Sequence, residues 1–107
     1  MKDVRITVLQ RTSNENLIEK YGNPKIEHLC PYNKEGQEYI SIEGAKPERF
    51  CEEAWTAFGK YAFALAHGVE GFWPSWIESR HIAINSCNDG LHPVIFKLEP
   101  IDKKAAK

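Results

Sequence analysis

The chain is expected to fold as α+β: a small, mainly antiparallel sheet of about four strands with one long amphipathic helix packed on one face. Three observations lead there. Residues 47–68, PERFCEEAWTAFGKYAFALAHG, repeat apolar side chains with helical period. Shorter stretches before and after alternate apolar and polar side chains with the period of two that half-buried strands show. Their order along the chain, β-α-β-α-β-β, suits segregated helices on an antiparallel sheet.

Val4, Ile6 and Val8 alternate with Arg5, Thr7 and Leu9, a strand with one inward face. Thr12 and Glu15 have capping-box spacing and introduce a short helical pattern through Leu17, Ile18 and Tyr21, ended by Gly22. So short a helix needs the sheet to hold it. Residues 23–29, with Pro24 and no clear period, read as loop. After the turn at residues 33–36, residues 37–42 read as a strand, with Glu38, Ile40 and Ile42 on one face and Gln37, Tyr39 and Ser41 on the other. Glu43 and Gly44 end it.

On a wheel at about 100° per residue, Phe50, Cys51, Ala54, Trp55, Ala57, Phe58, Tyr61, Ala62 and Leu65 fall in one broad arc of the long helix. Pro47 suits the first helical position, Glu48 the positive end of the dipole, and Gly68 the left-handed position beyond the last turn. Phe63 breaks the pattern by lying among Glu52, Thr56 and His67. It marks a second contact surface, covered by a loop of the same chain or by another subunit.

Phe72, Trp73 and Trp76 then crowd one loop. Such a loop closes one end of a core, or forms a pocket wall or subunit contact, where tryptophan is enriched. Residues 80–86 read as a strand with Ile82 and Ile84 buried, leaving His81, Ala83, Asn85 and Cys87 on the other face. Asn88, Asp89 and Gly90 have the chemistry of a tight hairpin turn. Residues 91–99 return with Val94, Phe96 and Leu98 inward and Lys97 and Glu99 outward. Pro93 favours an edge or bulge near the turn. A single domain over 1–100 with a frayed polar tail at 101–107 is expected.

Composition excludes several function classes. A chain of 107 residues buries roughly two thirds of its surface in one core. A formal net charge of −1 gives no electrostatic footprint for nucleic acid or an anionic membrane. No basic region followed by an apolar run marks a signal peptide, and no apolar stretch reaches the roughly 20 residues of a bilayer span. The three cysteines are odd in number and widely spaced, a poor disulfide framework, so a cytoplasmic protein with reduced thiols is expected.

Those cysteines carry the sharpest chemical expectation. Cys51 lies in the first turn of the long helix, where partial positive charge favours a thiolate, although its place on the apolar arc suits a small core hydrophobe, the commoner role of a buried cysteine. Cys30 opens a loop and Cys87 ends a strand. Each sits at an element boundary, so all three are candidates for one end of the sheet. With His28 they would form a thiolate and imidazole set suited to zinc or iron. Their spacing contains no Cys-x-x-Cys pair and matches no zinc-ribbon or ferredoxin pattern. His81 reads as a solvent-facing strand residue, His92 and His67 as turn and helix-end residues. No nucleophile triad, phosphate loop or catalytic carboxylate pair stands out.

Four segments resemble a known family: Cys30-Pro31 with Gly36-Gln37, Phe50-Cys51 with Ala54-Trp55, Trp73-Pro74, and Cys87-x-Asp89 leading to Pro93-Val94-Ile95-Phe96-Lys97. Together they look like a family of small bacterial and archaeal proteins of about this length, without an assigned activity, frequent in anaerobes and sometimes fused to redox proteins. The resemblance covers most of the chain from Val4 to Pro100, and all three cysteines fall on its motifs. It implies a redox or metal-linked setting and a possible redox-protein partner. The chain reads Cys87-Asn88-Asp89 where members often have Cys-Pro-Asp, and it lacks a Gly-Gly pair after the long helix.

Three functions are therefore weighed, with enzymatic activity left open. One is a metal or redox site built on Cys30, Cys51 and Cys87. Another is a non-catalytic accessory protein that forms homo-oligomers through Phe63. A third is a small-molecule binder walled by Trp55, Trp73 and Trp76.

Overall fold

Nine residues, Asp3–Arg11, form β1, and their alternating pattern puts Val4, Ile6 and Val8 into the core. The computed structural model describes residues 1–103. After β1 come α1 (Glu15–Tyr21), β2 (Glu38–Ser41), a 3-10 turn at Ile42–Gly44, α2 (Glu52–Ala66), β3 (Ala83–Ser86) and β4 (Val94–Ile101). The strands make one four-stranded sheet in the order β2-β1-β4-β3, with every neighbouring pair antiparallel. The expected α+β fold is the observed one.

α2 lies on one face of this sheet. Its residues Ala54, Phe58, Ala62 and Leu65 are buried and recur at helical spacing, so one stripe meets the strands. Phe58 packs on Phe96 of β4 with tilted rings whose centroids are 5.0 Å apart, and Phe50 joins both from the segment before the helix. The Trp55 indole lies across Gly59, where a Cβ would come within 2.6 Å of that ring. The other face of the sheet is open and carries charge, with Arg5 facing Glu99 across the β1–β4 pair at 3.6 Å.

Several expectations change. The long helix starts at Glu52, not Pro47, because Arg49 takes a left-handed φ of 61° that interrupts any helical run. Gly68 does take the left-handed conformation past its end, with φ 92°. Thr12 does not cap α1. Its hydroxyl donates to the Pro93 carbonyl at 2.6 Å, and Asn14 stands at the N-cap instead. On β3 the faces are exchanged: Ala83 is fully buried against the helix side, whereas Ile82 and Ile84 are half-buried. Ala83 pairs with Leu98 of the core face, where α2 approaches and only a small side chain fits. The β3–β4 connection is longer than a tight hairpin, for the last paired residues are Ser86 and Ile95. β4 runs on through Ile101, and Lys103 pairs with Glu43 at 2.6 Å, so the polar tail begins later than 101. The rest of that expected tail, 104–107, lies outside the described residues.

β1 carries a bulge near its C-terminal end. Val8 pairs with Phe96 and Gln10 with Ile95, leaving Leu9 as the extra residue. Beyond it, Arg11 binds the loop before β2: its amide and Nε donate to the Glu35 carboxylate at 2.9 and 3.1 Å, and a guanidinium nitrogen reaches the Cys30 carbonyl at 3.3 Å. The loop that contains Cys30 is thereby tied to the end of the central strand.

Candidate functional site

Three separate pieces of chain bring their cysteines to one cleft of about 340 Å³, bordered by Cys30, Cys51, Cys87, Asp89 and His92. Tyr32 and Glu53 border it as well. All three thiols are free. Each reaches the cleft by a different local device.

Cys30 arrives through the Arg11–Glu35 fork, and it is buried, with 8% exposure. Asn33, three residues on, is buried too, and its side-chain oxygen accepts the Tyr39 hydroxyl at 2.9 Å. Cys51 arrives through the irregular segment before α2. The Pro47 carbonyl accepts the Phe50 amide at 3.3 Å, and the left-handed Arg49 within that turn sends Phe50 inward. Phe50 then meets the Tyr39 ring edge-on at 4.7 Å, and Cys51 becomes the N-cap of α2. The Cys51 carbonyl accepts the first helical bond, from Trp55 at 3.0 Å, but its side chain makes no capping bond. The thiol is left for the cleft.

Cys87 arrives at the end of β3. Its amide donates to the Val94 carbonyl at 3.1 Å, and the Val94 amide donates back to the Cys87 sulfur at 3.4 Å. The intervening loop is held by Asp89, whose carboxylate accepts the Leu91 and His92 amides at 3.0 and 3.2 Å. Asn14 anchors the same loop from outside, through bonds to the Leu91 and Gly90 carbonyls. His92 presents Nδ1 to the Asp89 carboxylate and is mostly buried. Burial alone would push the Asp89 carboxyl up. The two amide donors and the His92 imidazole outweigh it and hold the group below its ordinary value.

Tyr39 reports on the thiols from the neighbouring cleft, which shares Tyr32 and Cys51 with the first. Burial pushes its hydroxyl above the ordinary value, and negative charge at Cys51 and Cys30 acts in the same direction. The three thiols still do not close on a single point. Among the described residues, no group of three or more His, Cys, Asp or Glu side chains is placed to hold a metal ion.

The remaining candidates lie elsewhere. His28 faces Glu15 at 2.7 Å and takes no part in the cysteine cleft; the histidine there is His92. His28 precedes Cys30 by two residues, but its imidazole is drawn to the first turn of α1. His92 follows Cys87 by five residues on a loop that the Asp89 turn and Asn14 hold folded back. His81 lies before β3 and pairs with Glu70 at 3.1 Å. The tryptophans divide. Trp55 packs edge-on to Phe50 at 6.1 Å, whereas Trp73 packs on Tyr61 at 5.0 Å and stacks on the exposed Trp76 at 6.3 Å. Phe63 is 57% exposed, and its ring packs at a tilt against His67. The Ile42–Gly44 turn approaches its backbone, so a loop of the same chain covers that position only in part.

Fold and cleft together define a small α+β domain with a cysteine-lined site. No family model matches the chain, and neither a curated protein nor a solved structure matches it. No helix among the described residues is long and apolar enough to cross a membrane.

Proposed function

We propose that this domain works through its thiols, and that the cleft shared by Cys30, Cys51 and Cys87 is its functional site. The observation that carries this reading is the convergence itself: three cysteines from separate elements, together with an Asp89–His92 pair, border one cleft. Cysteines that only fill a core have no need of a common opening or of a partly buried imidazole. The donors surround a space instead of a point, which favours thiol redox chemistry over a resident zinc or iron ion. The family resemblance, with its redox-linked setting, points the same way.

Iodoacetamide tests the reading. Cys51 and Cys87 in the native protein are expected to alkylate at least as fast as free cysteine, with Cys30 far slower because it is buried. If all three lag free cysteine by orders of magnitude, they are core thiols and the proposal fails.

A second reading, self-association, rests on two exposed apolar side chains, Phe63 of α2 and Ile42 of the 3-10 turn whose Gly44 approaches Phe63. It is compatible with the first, since neither residue borders the cysteine cleft.

A further inference from the structure

The three thiols are not equivalent, and their differences assign roles. Cys30 is buried and lies in the loop that Arg11 fastens through the Cys30 carbonyl. Cys51 and Cys87 are both half-buried. Cys87 alone has an amide donor aimed at its sulfur, from Val94, and it shares its loop with His92 and Asp89. Such a donor stabilises negative charge on sulfur during reaction, and an imidazole oriented by a carboxylate is suited to accept a thiol proton. Cys51 sits at the N-cap of α2 with a side chain engaged in no capping bond, so it is available to a partner sulfur.

The cleft also restricts what enters. Its volume of about 340 Å³ lies in the range of small-molecule sites, and its border combines sulfurs and the Tyr32 ring with two carboxylates, Glu53 and Asp89. Those carboxylates oppose an anionic substrate, and the space exceeds what hydrogen peroxide fills.

Resting on the thiol-site reading, we propose that Cys87 and Cys51 form a peroxide-reducing pair whose substrate is an uncharged organic hydroperoxide. Cys87 gives its proton to His92 and attacks the terminal oxygen of R–O–OH. The S–O bond forms, the O–O bond breaks, and ROH leaves with the proton returned by His92. Cys87 is then a sulfenic acid. The Cys51 sulfur attacks it, forming the S–S bond and breaking the S–OH bond. The Cys51 proton leaves with the hydroxyl as water. Two thiols have lost two electrons, and the hydroperoxide has become an alcohol and water. An external dithiol reduces the disulfide and restores the pair by exchange.

Cumene hydroperoxide added to the reduced wild-type protein tests this, with mass spectrometry, peptide mapping and a non-reducing gel as readouts. The expected product is a monomer lighter by about 2 Da, carrying a Cys51–Cys87 disulfide with Cys30 still alkylatable. Cumene hydroperoxide is expected to act at least about tenfold faster than hydrogen peroxide, because the cleft accommodates the apolar group. Cys51→Ser should stop at a Cys87 sulfenic acid. His92→Asn should slow Cys87 oxidation by roughly a hundredfold while leaving alkylation of Cys51 unchanged. A disulfide that includes Cys30, an accumulating sulfenic acid in the wild type, equal rates for the two peroxides, or no oxidation would each overturn the proposal. Thiols that alkylate rapidly with iodoacetamide yet ignore the hydroperoxide would sink only this inference. Thiols inert to both reagents would sink the thiol-site reading with it.

Discussion

Asp89 connects residue chemistry to local stability more directly than any other side chain at the site. Its carboxylate accepts the Leu91 and His92 amides and faces the His92 imidazole, so its pKa lies below the ordinary value despite burial. A carboxyl whose folded pKa is depressed contributes stability that is complete above the unfolded value and is lost as pH falls through the folded one. The loop around Cys87 is therefore expected to hold its structure through the ordinary carboxylate range and loosen only at lower pH. Amide shifts of Leu91 and His92 followed by NMR check this: their midpoint should lie below that of a free aspartate. An ordinary midpoint would show that the carboxylate does not hold the loop. The site was partly legible in the residues. That Cys30, Cys51 and Cys87 lie at element boundaries is a sequence property. That His92, not His28, stands among them is not, because it depends on where Glu15 and Asp89 draw each imidazole.

Elements were legible where periodicity was strong and ambiguous where one small residue decided. The inward faces of β1 and β4 follow from plain alternation of β-branched, leucine and phenylalanine side chains. β3 defeated the same rule because Ala83 is fully buried on the helix side while its larger neighbours Ile82 and Ile84 are only half-buried. Burial there is limited by the close approach of α2, which hydropathy does not record. The start of α2 was obscured in the same way, for nothing in residues 47–51 announces a left-handed Arg49. The join between β2 and α2 depends on Gly44. It has φ 88°, and a Cβ would stand 2.8 Å from the Phe63 Cα. Gly44→Ala is expected to cost about 1–3 kcal/mol from the backbone conformation alone, with the backbone clash adding to it. Urea unfolding checks the value, and an unchanged midpoint would mean that the 3-10 turn does not press on the helix. Phe58→Ala, which opens a void between α2 and β4, is expected to cost about 3–5 kcal/mol in the same assay.

For the whole molecule, one helix on one face leaves the other face of the sheet to charged pairs and leaves apolar rings at the margins. If the Phe63 face joins two copies, Phe63→Asp should lower the mass seen by light scattering while the far-UV spectrum stays unchanged. A mass equal to that of the wild type would remove this surface from consideration. The cysteine cleft belongs to the same scale, because β1, the start of α2 and the β3–β4 loop must all be in place before it exists. Its existence is the central claim, and steric exclusion tests it most directly. Native protein is treated with a bulky uncharged maleimide and weighed intact. The expected result is one adduct per chain, on Cys51 or Cys87 but never on both, and three adducts after denaturation. Native molecules carrying adducts on Cys51 and Cys87 together would show that the two thiols do not share a cleft.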